Sequence, residues 1–171
     1  MLTAKSLPEH ELNQYSKQFI SRIEEFGFTS TSVFAKEGPN YTYTTGFWQN
    51  HRHPELIVFG LDGSLSNELF WDCLRFIEDG RSFKSGEYVE EIFRDALGAF
   101  RAVSEAARAE YLHSSDWYYR SQPFEALQLF WPDQSGRFPW DDGVSEAFKA
   151  DQPDISIEID HNGQVSDPGS D

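Results

Sequence analysis

Cysteine is almost missing. Cys73 stands alone in 171 residues, so no disulfide can form within the chain. Basic charge is scarce as well: 14 Lys and Arg face 29 Asp and Glu, a formal charge of −15. The basic residues are scattered singly, whereas neutralising phosphates takes clustered Lys and Arg. Nucleic acid and anionic lipid surfaces are therefore excluded as default partners. Long apolar runs are absent too. The longest aliphatic-aromatic stretch is Leu56-Ile57-Val58-Phe59, against about 20 residues for a membrane-spanning helix. Met1–His10 has neither an apolar run nor a small-residue cleavage site, so no signal peptide is read there and a cytoplasmic location is expected. Also missing are a P-loop, GxGxxG, GxSxG, HExxH and CxxC, which leaves nucleotide loops, triad elbows and zinc fingers without support.

Aromatic side chains, by contrast, are abundant. Five Trp, seven Tyr and fifteen Phe make up 16% of the chain. They supply a well-packed core, and the length suits one domain, at about 100–200 residues each. The acid is unevenly placed. From Asp133 to Asp171 ten Asp/Glu meet only Arg137 and Lys149, giving −8; residues 1–132 carry 12 basic and 19 acidic side chains, giving −7.

The pattern predicts a flexible start over residues 1–8, one globular domain over 9–150 and an acidic, largely disordered tail over 151–171. Leu12, Tyr15, Phe19, Ile23 and Phe26 form a helical stripe ending at Gly27. Phe28–Phe34 and Tyr41–Trp48 read as a hairpin, Gln49–Pro54 as a polar connection and Glu55–Phe59 as a central strand. A second helix follows from Asp62-Gly63-Ser64 to Gly80. Short strands are expected near Glu87–Phe93 and Ala99–Val103. A third helix should run from Ser104 to about Tyr119, and a second hairpin should pair Glu125–Trp131 with Arg137–Trp140. Ile155, Ile157 and Ile159 alternate as an edge strand would. The order of elements favours α+β: an antiparallel or mixed sheet with about three helices packed on one side.

Two clusters carry chemistry. In Gln49-Asn50-His51-Arg52-His53-Pro54-Glu55, an extended backbone would point His51, His53 and Glu55 to one side. Such a trio suits either a divalent metal or acid–base work, with His53 as general acid/base and Glu55 as its orienting partner; a solvated or backbone-bonded histidine is the plainer alternative, and no metal is assigned. In Trp131–Asp141, two Trp and two Pro bracket a turn. Either the rings plug the core, or the turn forms a pocket wall in which Arg137 clamps an anion, Asp133 or Asp141 orients it and Trp140 adds an aromatic face. Tyr43 and Thr45 share a strand face and either line the same pocket or form ordinary cross-strand pairs. Cys73 falls on an apolar helix stripe, as a core thiol would.

The stretches Tyr41-Thr42-Tyr43-Thr44-Thr45-Gly46-Phe47-Trp48, His53-Pro54-Glu55-Leu56-Ile57-Val58-Phe59-Gly60, Leu127–Asp133 and Gly136-Arg137-Phe138-Pro139-Trp140 together resemble the bacterial domain-of-unknown-function family 4262. The likeness runs from about Phe26 to Asp142, and Thr45 departs from the aliphatic residue usual there. The resemblance implies a small, single-domain, mostly bacterial cytoplasmic protein. It brings no reaction, cofactor or partner. Two functions are expected in competition: a small-ligand pocket, catalytic or not, joining both clusters around one cavity, or an acidic inhibitor- or immunity-type module that captures a basic protein.

Overall fold

Asn13 accepts a hydrogen bond from the Ser16 amide, 2.8 Å, and so caps α1 (Gln14–Phe26). Gly27 ends it in a left-handed conformation, φ 85°. The chain then forms β1 (Thr29–Val33) and β2 (Tyr41–Thr45), the expected antiparallel hairpin. One turn of helix, α2 (Phe47–His51), separates β2 from β3 (Glu55–Phe59). Asp62 caps α3 (Gly63–Glu78) by accepting from the Ser64 and Leu65 amides. β4 (Tyr88–Phe93) and β5 (Ala96–Ala102) form a second hairpin. α4 (Glu105–Tyr111), α5 (His113–Tyr118), β6 (Ala126–Phe130) and α6 (Glu146–Asp151) complete the chain. This computed structural model describes residues 1–156.

The fold is α+β, one domain built on a six-stranded mixed sheet in the order β1-β2-β3-β6-β5-β4. Every pair is antiparallel except β3–β6, which runs parallel with Glu55 beside Ala126 and Val58 beside Leu129. Side chains alternate across a strand, and here both faces are covered. Leu56, Val58, Leu127, Leu129 and Phe100 pack with Leu69, Phe70, Cys73 and Leu74 of α3. Tyr43, Ile57, Phe59 and Ala126 pack on the other side with Phe19, Ile20 and Ile23 of α1 and Tyr118 of α5. That two-sided burial explains why β3 and β6 are apolar almost throughout. Cys73 is fully buried, and burial pushes its thiol up to about 12, which keeps it a core group.

Several elements differ from expectation. Helices lie on both faces rather than one, and there are six α-helices among the described residues. Half of the polar connection after β2, residues 49–51, belongs to α2. Helix 104–119 divides at Leu112, whose fully buried side chain turns inward where α4 gives way to α5. No return strand forms at Arg137–Trp140, which is a run of turns. Residues 1–8 include a 3-10 turn with Ala4 in the core, and Lys5 pairs with Glu24 at 2.7 Å. The tail begins packed: Gln152 accepts from the Trp131 amide and donates to the Trp131 carbonyl, and Ser156 bridges to Val103. Ile157 and Ile159 lie outside the described residues. No helix among the described residues is long and apolar enough to cross a membrane.

Candidate functional site

Glu55 opens the central strand β3 as the one charged residue in Glu-Leu-Ile-Val-Phe, and it is fully buried. A buried charge needs partners, and five donors surround it. Oε1 accepts from the Gly46 and Trp48 amides at 2.8 and 3.1 Å and from the Tyr119 hydroxyl. Oε2 accepts from the Thr44 hydroxyl at 2.6 Å and the Phe47 amide at 3.3 Å. Both hydroxyls are already acceptors, Thr44 from the Leu56 amide and Tyr119 from the Gly46 amide, so each hydroxyl proton points at the carboxylate. Burial pushes the Glu55 carboxyl above its usual value, while the bonds from Thr44, Tyr119 and the amides pull toward the anion. Gly46 at the head of α2 has no side chain to cap it. Glu55, from the next strand, therefore caps α2 by satisfying its orphan amides.

α2 then delivers the histidines. His51 is its last residue, and Arg52 follows in a left-handed conformation, φ 52°. That break cancels the extended geometry that would have put His51, His53 and Glu55 on one side. His51 lies edge-on to Phe47 and packs against Gly27, with Nε2 unpartnered among the described residues. No group of three or more His, Cys, Asp or Glu among the described residues is placed to hold a metal. His53 is 2% exposed. Its Nε2 accepts from the Phe83 amide at 2.9 Å, which fixes the proton on Nδ1, and Nδ1 donates to the Pro54 carbonyl at 2.8 Å. Both ring nitrogens are thus used within the protein.

This arrangement gives His53 a pH signature. Burial lowers its pKa from 6.5, the Pro54 carbonyl opposes this, and His51 adds to it; burial lowers His51 as well. A base depressed in the folded state contributes stability that is complete above the unfolded value and is lost as pH falls. Stability should therefore hold above pH 6.5 and decline below it, by about 1.4 kcal/mol per pH unit for each proton taken up. Urea titrations between pH 7 and pH 5 should show that slope, shallower in His53→Gln.

The other flagged residues are distributed differently. Tyr43 is buried, its hydroxyl accepting from the Ser114 amide at 2.9 Å, and Thr45 pairs with the Ser115 hydroxyl at 2.7 Å. Both tie β2 to the α4–α5 side. Asp133 closes its turn by accepting from the Ser135 and Arg137 amides and from Arg137 Nε, 3.1 Å away. These bonds, led by the Arg137 amide, hold its carboxyl below the usual range. Arg137 also donates to the Gly143 carbonyl. Trp140 stacks on Phe138, and Arg101 lies 3.5 Å over its ring.

The two clusters do not meet. His53 precedes β3, whereas Trp131 follows β6, and β3 and β6 run parallel. Trp131 Nε1 donates to the Phe59 carbonyl at the far end of β3. Five residues of strand separate the ends, about 16 Å. The expectation of one cavity joining both clusters is corrected on that ground: parallel pairing carries them to opposite ends of the sheet.

At the His53 end a cleft of about 460 Å³ opens. Its walls are Arg52–Pro54, Ser82–Ser85, the end of β5, Arg108 and Phe124–Leu127. None of Tyr43, Thr45, Asp133, Arg137 or Trp140 lines it. The smaller hollow beside Trp140, about 250 Å³, has the aromatic face already covered by Arg101. Sequence reasoning singled out His53, with Arg52 only as a neighbour in its turn, and missed Phe83, Lys84, Arg108 and Phe124. The His53–Phe83 bond spans 30 residues, and no short-range spacing announces it. Residues 22–145 match the model of a family described as Domain of unknown function (DUF4262). None of the curated proteins and none of the solved structures gives a significant match.

Proposed function

The chain belongs to the DUF4262 family, and we propose that it binds a small molecule in the cleft beside His53. The observation that carries this reading is the use of a buried histidine to build a wall. His53 holds the Phe83 amide on one side and the Pro54 carbonyl on the other, so the cleft is formed before any ligand arrives. Its volume falls in the range of small-molecule sites, about 300–1,000 Å³, and its walls are mainly apolar. In this assignment His53 and Glu55 are positioning residues. Glu55 fixes α2, α2 fixes Arg52 and His53, and His53 fixes Phe83. Tyr43 and Thr45 anchor the sheet behind them, and the Asp133–Trp140 turn serves packing at the other end.

Ala102 lines the cleft from the end of β5, and a larger side chain there would fill it. A thermal-shift screen with a fragment library should raise the Tm of the wild-type protein and leave Ala102→Phe unmoved, the variant's own Tm being checked without ligand. Equal shifts in both proteins would place binding elsewhere.

A further inference from the structure

We propose that the occupant of this cleft is an organic anion: a carboxylate or phosphate monoester carried on a flat apolar body. The proposal rests on the cleft being the ligand site and adds the chemistry of what it takes. The chain holds 29 acids and 14 bases, about two acids for each base, so an average surface hollow would be lined mostly by acids. Here the ratio is inverted. Arg52, Lys84 and Arg108 line the cleft, and Glu125 is its one acid among the described residues. Three cations less one anion leave two positive charges, and His53 adds none because Nε2 is an acceptor.

The cations arrive from three separate parts of the chain, the end of α2, the loop before β4 and the middle of α4. Arg108 is the fixed one. It donates to the Phe124 carbonyl, lies 4.7 Å over the Phe124 ring and has Glu105 at 3.9 Å. Arg52 and Lys84 are exposed, and their side chains have no ion-pair or hydrogen-bond partner among the described residues. Their donors are available to a ligand. A guanidinium fork grips the two oxygens of a carboxylate or phosphoryl group, and an ammonium adds a point charge. Arg52 and Lys84 are exposed, whereas the apolar lining residues Phe83, Val103, Phe124 and Leu127 are buried. Two of these are aromatic rings, and they suit a flat body, which stacks offset or edge-on against them. A charged head on an apolar body matches this pairing of exposed cations with buried apolar walls.

Calorimetry with four probes tests this: phenylacetate, phenyl phosphate, phenylacetamide and inorganic phosphate. One of the two aromatic anions should bind at least about tenfold more tightly than phenylacetamide, the effect of one charge-assisted contact; which one binds better tells carboxylate from phosphoryl recognition. The double variant Arg52→Gln/Lys84→Gln should weaken that binding about tenfold or more, while Lys149→Gln, on α6, should not. The two replaced side chains make no internal bond, so an unchanged Tm is expected, and Lys84→Gln alone repeats the test with one change. Phenylacetamide binding as tightly as both aromatic anions, with NMR amide shifts at Phe83 and Phe124, would overturn the anion while leaving the cleft in place. Inorganic phosphate binding as tightly as phenyl phosphate would overturn the apolar body. Absence of amide shifts at Phe83 and Phe124 with every probe would overturn both the anion and the cleft.

Discussion

Glu55→Ala is expected to destabilise the protein by about 3–5 kcal/mol, the cost of removing one partner from a buried charged network. The value follows from what stays behind. Two amides, of Phe47 and Trp48, and two hydroxyls, of Thr44 and Tyr119, would lose their acceptor in a site without solvent, and the Gly46 amide would keep only the Tyr119 hydroxyl. Each orphaned donor costs about 1–3 kcal/mol unless water enters, and relaxation of α2 limits the sum. Glu55→Gln separates charge from volume. Its amide nitrogen must face either the Thr44–Phe47 donors or the Gly46–Tyr119–Trp48 donors, and each choice sets donor against donor. Denaturant unfolding should therefore show Glu55→Gln destabilised by at least about 2 kcal/mol. A glutamine variant as stable as wild type would mean that the carboxylate is not the cap. Because α2 holds Arg52 and His53, the same variants should lose ligand binding in proportion to the unfolding of α2.

Gly46→Ala should be nearly as damaging, at about 3 kcal/mol or more. Gly46 has φ 123° and ψ −23°, a conformation that L-residues rarely adopt. The space is also taken. A Cβ there would stand 2.5 Å from the Gly27 carbonyl oxygen and 2.8 Å from the Phe28 Cα, both backbone atoms. Backbone cannot rotate aside as a side chain does, so the α1–β1 junction would have to part from the head of α2. Gly38→Ala is the matched control. Gly38 also has positive φ, 83°, but meets nothing within 4 Å, so its cost should stay near about 1 kcal/mol. Unfolding midpoints of the two variants measure the difference, and equal costs would show that close approach at Gly46 is unimportant.

Much of the fold is legible in the sequence because its signals are local. The stripe from Leu12 to Phe26 ends in Gly27, and the β-branched run Tyr41–Thr45 pairs back on Thr29–Val33 as the alternation suggests. What escaped is set by distance. α2 has five residues, too few for periodicity to register, and its cap comes from Glu55 on another strand. Helices on both sheet faces follow from the parallel β3–β6 pairing, which joins segments some 70 residues apart in a way that no turn signal encodes. His53 stands out by its setting before Pro54, yet its role depends on the Phe83 amide. Arg52, Lys84 and Arg108 are unremarkable singly, and only the fold puts them around one opening. The Trp131–Trp140 turn was the converse: conspicuous residues whose bonds are spent on closing the turn and packing the sheet.

The most direct test is an amide-resolved NMR titration of the ¹⁵N-labelled protein with the fragments that raise its Tm. The account predicts that shifts concentrate at Phe83, Val103, Phe124 and Leu127 around His53. Shifts centred instead on Asp133–Asp141, at the opposite end of β3 and β6, would contradict it.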